Sequence, residues 1–304
     1  MQKCLISLFI SLSSFFWLTG SPSADRDLPK VVASFSILED IIHEIAGDLV
    51  IVDTLVDRNS DPHVFQPTPE TIIQIQSAQF VFLNGLGFEP WFVKILESSN
   101  PAPQQCVASN GIASRWIHTP QQGKAVPDPH AWHSLSNIEI YAQNTLSCLT
   151  TLLPSKAAVL EKRYSDFIKR VKALKSQLEQ EMSFINLQQR TIITGHDAFG
   201  YLGDEFHINV KAPLGISTEE KASAKTIALL INQIKTNGTR AIFLENLANS
   251  DLIKQIAQEV GIDISNNILY ADALSEKGGP ADTYLKMMTF NIESLIREMK
   301  KNEP

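Results

Sequence analysis

The feature that most constrains the fold is a change of period in the middle of the chain. From Ser155 to Met182, the apolar residues Leu160, Tyr164, Phe167, Ile168, Val171, Leu174, Leu178 and Met182 recur at three- and four-residue spacing, with Lys, Arg and Glu between them. This stripe predicts one amphipathic helix reaching on the order of 40 Å. Before it, Val31–Ser36, Val50–Val56, Phe80–Asn84 and Gln105–Ala108 read as strands, alternating with helical stretches such as Ile37–Ala46 and Glu70–Ala78. After it, Arg190–Thr194, Ile208–Lys211, Arg240–Glu245 and Asn267–Ala271 read as strands again. Such alternation implies parallel sheets covered by helices. The expected fold class is therefore α/β, with two lobes, each holding a parallel sheet flanked by helices, joined by one long connecting helix. The expected division is an N-terminal lobe at 24–153, the connecting helix at 154–185 and a C-terminal lobe at 186–304. A helix lying inside one larger domain would give the same stripe. Thr68 and Pro69 mark one helix entry, since threonine caps free amides and proline fits the first turn.

The N-terminus reads as a leader. Lys3 precedes an apolar stretch from Leu5 to Leu18, and small residues lead through Gly20, Ser21 and Ser23 to Ala24 and the charged Asp25. That is a secretory signal pattern over 1–23, too short for a comfortable membrane span. Cys4 lies within the leader, so no cysteine stands at the junction to take a lipid, and the mature chain is expected to be soluble outside the cytoplasm. The formal charge is −7 and becomes −8 once Lys3 is removed. No basic block follows a phosphate backbone, which argues against nucleic acid as a partner. Cys106 and Cys148 are the cysteines left after processing. An oxidising compartment permits a disulfide, but sequence alone does not bring their Cα atoms together, and two separate buried thiols are expected.

Three histidines and one aspartate, His63, His130, His196 and Asp272, recur in loops that follow strand-like runs. In open parallel sheets such loops converge at the carboxyl ends of the strands, so two donors from each half are expected to meet between the lobes. Imidazole nitrogens with one carboxylate oxygen suit a borderline divalent cation, and a closed four-donor set suits binding better than catalysis. The pattern reads as a metal carrier. His63 and His130 each follow an Asp-Pro pair, and the proline stiffens the loop that presents the ring.

Five linked motifs resemble the metal-binding solute-binding proteins of bacterial zinc and manganese ABC importers. They are Asp61-Pro62-His63 with Gln66-Pro67-Thr68-Pro69, Asn84-Gly85-Leu86-Gly87-Phe88-Glu89-Pro90-Trp91, Asp128-Pro129-His130-Ala131-Trp132, Gly195-His196-Asp197-Ala198-Phe199-Gly200-Tyr201, and Tyr270-Ala271-Asp272-Ala273-Leu274-Ser275. The resemblance covers essentially the whole mature chain. It implies two α/β lobes, a rigid connecting helix, a metal held by His63, His130, His196 and Asp272, and delivery to a membrane permease by a monomer that is not an enzyme. The chain departs from the family where His133-Ser134-Leu135 follows Trp132, a place where an Asp-Pro pair is more common.

In that family a glutamate at the place of His196 goes with manganese-type sites, whereas histidine points toward zinc. The stretch from Arg115 to Pro127, with His118 its one histidine, lacks the long histidine-rich loop of many zinc members. Zinc is the first expectation, with manganese and iron as alternatives. Glu245, at the end of a strand-like run, is expected either to orient a ligand histidine or to cap a surface helix. His133 is weighed as a further ligand on the same helical turn as His130 and set aside. His118 and His207 are expected to be surface or packing residues. Two other classes fit parts of the pattern: a zinc hydrolase with Glu245 or Asp272 as general base, and a surface adhesin that binds metal only structurally.

Overall fold

The computed structural model describes residues 28–118, 125–237, 239 and 241–301, and the expected leader lies outside them. The first half is built on β1 (Lys30–Phe35), β2 (Ile51–Val56), β3 (Phe80–Leu83) and β4 (Gln104–Val107), all parallel in the order β2-β1-β3-β4. Between them run α1 (Ser36–Ala46), α2 (Pro69–Ser77) and α3 (Pro90–Ser98). Thr68 caps α2 as expected, in a reciprocal pair with Thr71. A small antiparallel pair, β5 (Trp116–His118) and β6 (Ala125–Pro127), leads to α4 (Leu135–Leu152). The long helix α5 spans Ala157–Ser183, or 27 residues. The second half holds β7 (Thr191–Ile193), α6 (Gly200–Phe206), β8 (Asn209–Lys211), α7 (Ala224–Asn237), β9 (Ala241–Ile242), α8 (Ser250–Val260) and α9 (Tyr284–Lys300). Its strands are parallel in the order β8-β7-β9.

Strand periodicity divides the core. Val31, Ala33 and Phe35 of β1 face a central cluster, while Val32 joins Val81, Leu83 and Phe92 under α2 and α3. In the second half Ile192 and Ala241 face the central cluster, and Ile193 and Ile242 pack under α7 and α8. This is the two-sided burial that near-continuous apolar strands of a parallel sheet require. The central cluster runs without a break from Phe35 and Phe82 through Trp132 and Tyr141 to Phe199, Phe243, Tyr284 and Met288. The stripe of α5 supplies its spine. Leu160, Phe167, Ile168, Val171, Leu178 and Met182 are buried, and Tyr164 and Leu174 pack at the edge. α5 lies against α1, α4 and α9, so it is anchored to both halves.

Two expectations change. Cys106 and Cys148 are not separate thiols: they form a disulfide that ties β4 to α4, with Cα atoms 6.1 Å apart. The approach comes from α4 lying over the edge strand, where Asn144 donates to the carbonyls of Ala108 and Asn110 at 2.8 and 2.9 Å. A packing of that kind is tertiary and leaves no mark in residue spacing. The run Asn267–Ala271 is no strand but pairs only through an isolated bridge between Glu245 and Leu269. Beyond Leu269 side chains replace the ladder. Asn291 bonds both the N–H and the carbonyl of Tyr270, and Asn246 accepts the N–H of Ala271.

Candidate metal centre

His63, His130, His196 and Asp272 come together at the carboxyl ends of the strands, and one donor atom from each lies within 4.8 Å of the others. Nε2 of His196, His130 and His63 stands 3.2, 3.5 and 3.6 Å from the Asp272 oxygens, and the His63 and His130 Nε2 atoms are 3.4 Å apart. His196 Nε2 and both Asp272 oxygens are buried and have no partner outside the cluster itself. Buried polar atoms are otherwise nearly always paired. Three imidazole nitrogens and one carboxylate oxygen converging in this way match the donors of a tetrahedral divalent-metal site.

Each donor is held from behind. Asp128 Oδ1 accepts both the backbone N–H of His130 at 3.0 Å and its ring Nδ1–H at 2.8 Å. That bond places the Nε2 lone pair toward the centre. Glu245 does the same for His196, with Oε2 at 2.5 Å from Nδ1 while Oε1 accepts the N–H groups of Gly195 and His196 at 2.6 and 3.0 Å. Gly195 permits this, since a Cβ there would stand 3.2 Å from Glu245 Oε1. Glu245 is thus buried behind His196 and does not cap a surface helix. His63 is mounted differently. Its N–H is accepted by Asp61 Oδ1 at 2.8 Å, and its ring meets the edge of Phe88 at 5.1 Å between centroids.

Asp272 belongs to the second half in sequence but is fastened by both halves, Asn246 holding Ala271 from the second and several residues of the first reaching its loop. Trp132 Nε1 donates to the Ala271 carbonyl at 3.0 Å, and Ser36 Oγ accepts the Leu274 N–H at 3.1 Å. The Asn59 N–H donates to the Leu274 carbonyl at 3.0 Å, and Arg58 reaches the carbonyls of Ser275 and Asp282 at 3.3 and 2.6 Å. The expected split of two donors per half therefore holds for the chain but not for the mounting.

Burial and charge pull the donors apart. Burial pushes the His63 ring down to about 3, against the raising effect of Asp272 and with help from the other two rings. For His196 burial also opposes the charged form, yet the Glu245 and Asp272 carboxylates outweigh it and hold the ring protonated well above the usual histidine range. Asp272, surrounded by three imidazoles, is held well below the usual carboxylate range despite its burial.

A cavity of about 510 Å³ opens onto this centre, lined by His63, Phe88, Pro129, Ile216, Ser217 and Glu220 among others. Beside the lining residues Ser217 and Glu219, Thr218 donates to Asp61 Oδ2 at 2.6 Å. His133 is buried but faces away, its ring 4.6 Å from that of Phe199, and it is not among the converging donors. His207 is exposed and ends α6 in a left-handed conformation. The side chain of His118 lies outside the described residues. Sequence reasoning missed Asp128 and Asp61 as supports. The repeated Asp two residues before each histidine was the available signal, because an aspartate commonly accepts the N–H two residues on.

The profile of the family described as ZnuA, zinc-uptake complex component A, periplasmic, matches residues 31–298. The iron-binding protein YfeA of Yersinia pestis is 30% identical over 279 residues, which cover 91% of this chain and 88% of that protein. The manganese ABC transporter substrate-binding lipoprotein PsaA of Streptococcus anginosus is 27% identical over 311 residues, covering 99% of this chain and 100% of that one. Among solved structures, the manganese-bound periplasmic metal binding protein from Candidatus Liberibacter asiaticus has a TM-score of 0.80 at 29% identity, covering 89% of this chain and 99% of that chain. PsaA is named a lipoprotein, which runs against the expectation of a chain without a lipid anchor. The residues that bear on this, 1–27, lie outside those described. No helix among the described residues is long and apolar enough to cross a membrane.

Proposed function

The chain belongs to the ZnuA family of substrate-binding proteins of metal ABC transporters, and from that premise we propose that it captures Zn²⁺ outside the cytoplasm between His63, His130, His196 and Asp272 and passes it to a membrane permease. The observation that carries the proposal is the meeting of four donor atoms within 4.8 Å, drawn from four loops and backed on two sides by buried carboxylates. Zinc is preferred over manganese because three of the four donors are imidazole nitrogens, whereas manganese favours oxygen. Three neutral rings and one carboxylate leave a divalent complex with a net charge of about +1, a set that binds tightly and releases when a ring regains its proton. The hydrolase alternative needs a free general base. Glu245 is fully engaged by two backbone N–H groups and the His196 ring.

The working division remains a lobe at 24–153, a connecting helix at 154–185 and a lobe at 186–304. An unbroken core around α5 favours small local movement over wide hinge closure, so solution scattering with and without metal should differ little.

The deciding experiment is elemental analysis of protein purified from its native compartment, followed by competition among Zn²⁺, Mn²⁺ and Fe²⁺ for the metal-free chain and its His196→Glu variant. Zinc retained by the native protein, with the variant shifted toward Mn²⁺, is the expected result. Protein that carries manganese or iron and no zinc overturns the choice of cargo, and protein that binds none of the three overturns the site.

A further inference from the structure

Arg115 stands just before β5, outside every motif singled out in the sequence, and its guanidinium lies between the loops that carry two of the three histidines. Nη1 is 3.2 Å from Asp128 Oδ2 and 3.9 Å from Asp197 Oδ1, and Nε is 3.5 Å from Asp204 Oδ2. Asp128 is the carboxylate behind His130, Asp197 directly follows His196, and Asp204 lies on α6. The backbone is tied at the same place. The Arg115 carbonyl accepts the Asp128 N–H at 2.8 Å. The Tyr201 hydroxyl accepts the Arg115 N–H at 2.9 Å and donates to the Asp128 carbonyl at 3.1 Å.

Two further observations show that the arrangement is built for this side chain. The guanidinium passes over the first residue of α6, Gly200, where a Cβ would stand 2.4 Å from Arg115 Cζ and Nη1. Any other residue at 200 would push the guanidinium aside. The Asp128 side chain is fully buried, with Oδ1 spent on His130, so its second oxygen needs a partner that does not come from the turn itself. Glu245 has no such need, since its two oxygens are taken by the His196 ring and two backbone N–H groups.

We propose that Arg115 is a positioning residue of the metal centre, a clasp that joins Asp128 on one side of the cleft to Asp197 and Asp204 on the other and so fixes the separation of His130 and His196. Resting on the four-residue site proposed above, the clasp makes no contact with the metal and acts through the carboxylates behind and beside two of its donors. Losing such a support typically weakens metal binding by about 10–100-fold.

The test measures Zn²⁺ affinity by competition with a fluorescent chelator, and the visible absorption of the Co²⁺-loaded full chain as a report on donor geometry. The variants are Arg115→Ala, Arg115→Lys, Gly200→Ala, the Arg115→Ala/Gly200→Ala double and His196→Ala. The expected result is a loss of about 10–100-fold for Arg115→Ala with an altered Co²⁺ spectrum, partial recovery in Arg115→Lys, and a similar loss for Gly200→Ala. In the double variant the losses should not multiply, because both changes remove one interaction. Arg115→Ala within about twofold of the parent, while His196→Ala loses binding, overturns the clasp and leaves the site standing. Losses that multiply in the double variant also overturn it. Unchanged binding by His196→Ala overturns the underlying site instead. Should Arg115→Ala fail to give a cooperative melt, Arg115→Lys and Gly200→Ala carry the decision.

Discussion

The tripeptide Asp-Pro-His occurs twice, at 61–63 and at 128–130, and the fold puts the two copies to different uses. In both, the aspartate accepts the N–H of the histidine two residues on, a local bond that the sequence dictates. Beyond that the copies part. At 128–130 the same oxygen also holds the ring Nδ1–H, the second oxygen meets Arg115, and the His130 ring is fully buried. At 61–63 the ring lines the cavity, and the second Asp61 oxygen meets Thr218 of the second half. One turn thus holds its ring from behind, and the other ties its loop to the second half. The turn chemistry is local, but the partner waiting on the second oxygen decides the role.

Removing each histidine gives the widest separation between the copies. Tight zinc sites bind with about 10–16 kcal/mol over four ligands, so one ligand carries about 3 kcal/mol, or about 10²-fold in affinity. His63→Ala should cost about that much. His130→Ala should cost about 10³-fold, because the ring it removes is oriented and made a more basic ligand by the Asp128 carboxylate behind it. Equal losses by competition titration would break the comparison. The aspartates come next. Asp128→Asn should weaken Zn²⁺ binding by about 10–100-fold, as expected for a carboxylate behind a metal-bound ring. Asp61→Asn should change it by no more than about threefold, since the amide oxygen still accepts the His63 N–H and the amide NH₂ can donate to the Thr218 hydroxyl in place of the second oxygen. A reversed order would show that the Asp61 turn and not the buried wall sets affinity.

Much of this was legible beforehand, and the exceptions share one cause. The stripe of α5 gave its length to within a residue or two at each end, and the four residues that converge were named from loop position and motif. Period and turn chemistry are local, so they survive in the sequence. The contacts that were missed join residues far apart in the chain. Arg115 meets Asp204 across 89 positions and Thr218 meets Asp61 across 157. The disulfide between Cys106 and Cys148 depends on where α4 crosses an edge strand, and Asn291 ends a strand that apolar content alone would have extended. Local patterns carry no trace of such partners.

Protonation separates the donors again, with an expected effect of about tenfold per pH unit. The His63 ring, pushed down to about 3, is already neutral and ready for metal at any pH above that. His196, held protonated by Glu245 and Asp272 against its burial, must give up its proton when metal enters. Zinc binding should therefore release one proton at neutral pH, and affinity should rise with pH by about tenfold per unit until the metal-free His196 titrates. Calorimetry in buffers of different ionisation enthalpy checks the count. In the metal-free chain the two rings act on stability in opposite ways. Unfolding lets His63 take up a proton below pH 6.5 that the native state refuses down to about 3. Its contribution is thus full above pH 6.5 and is lost as the pH falls. The raised His196 contributes below 6.5 and loses that contribution only as pH rises through its folded value, so it adds no slope on the acid side. Binding without proton release would show that a donor other than His196 is the charged one.

The last test bears on the tie between Asp61 and Thr218. Thr218 is half-buried, and its hydroxyl bond at 2.6 Å is a direct tie from the second half to the turn that carries His63. Burial lifts the Asp61 carboxyl, and Thr218 opposes that lift by stabilising the charged form. Thr218→Val keeps the shape of the side chain but leaves Asp61 with only the N–H of His63. The lost bond is worth about 1 kcal/mol in this half-exposed setting, which is about a fivefold change in a rate. If the tie holds the site closed, the change falls on exchange: Zn²⁺ transfer to excess chelator in stopped flow should be about fivefold faster, with equilibrium affinity within about threefold and the Co²⁺ spectrum unaltered. His130 and its wall do not depend on this bond, so Asp128→Asn should disturb the spectrum where Thr218→Val does not. A release rate unmoved by Thr218→Val would mean that the metal escapes by another route, and the difference between the two Asp-Pro-His turns would then be one of burial alone.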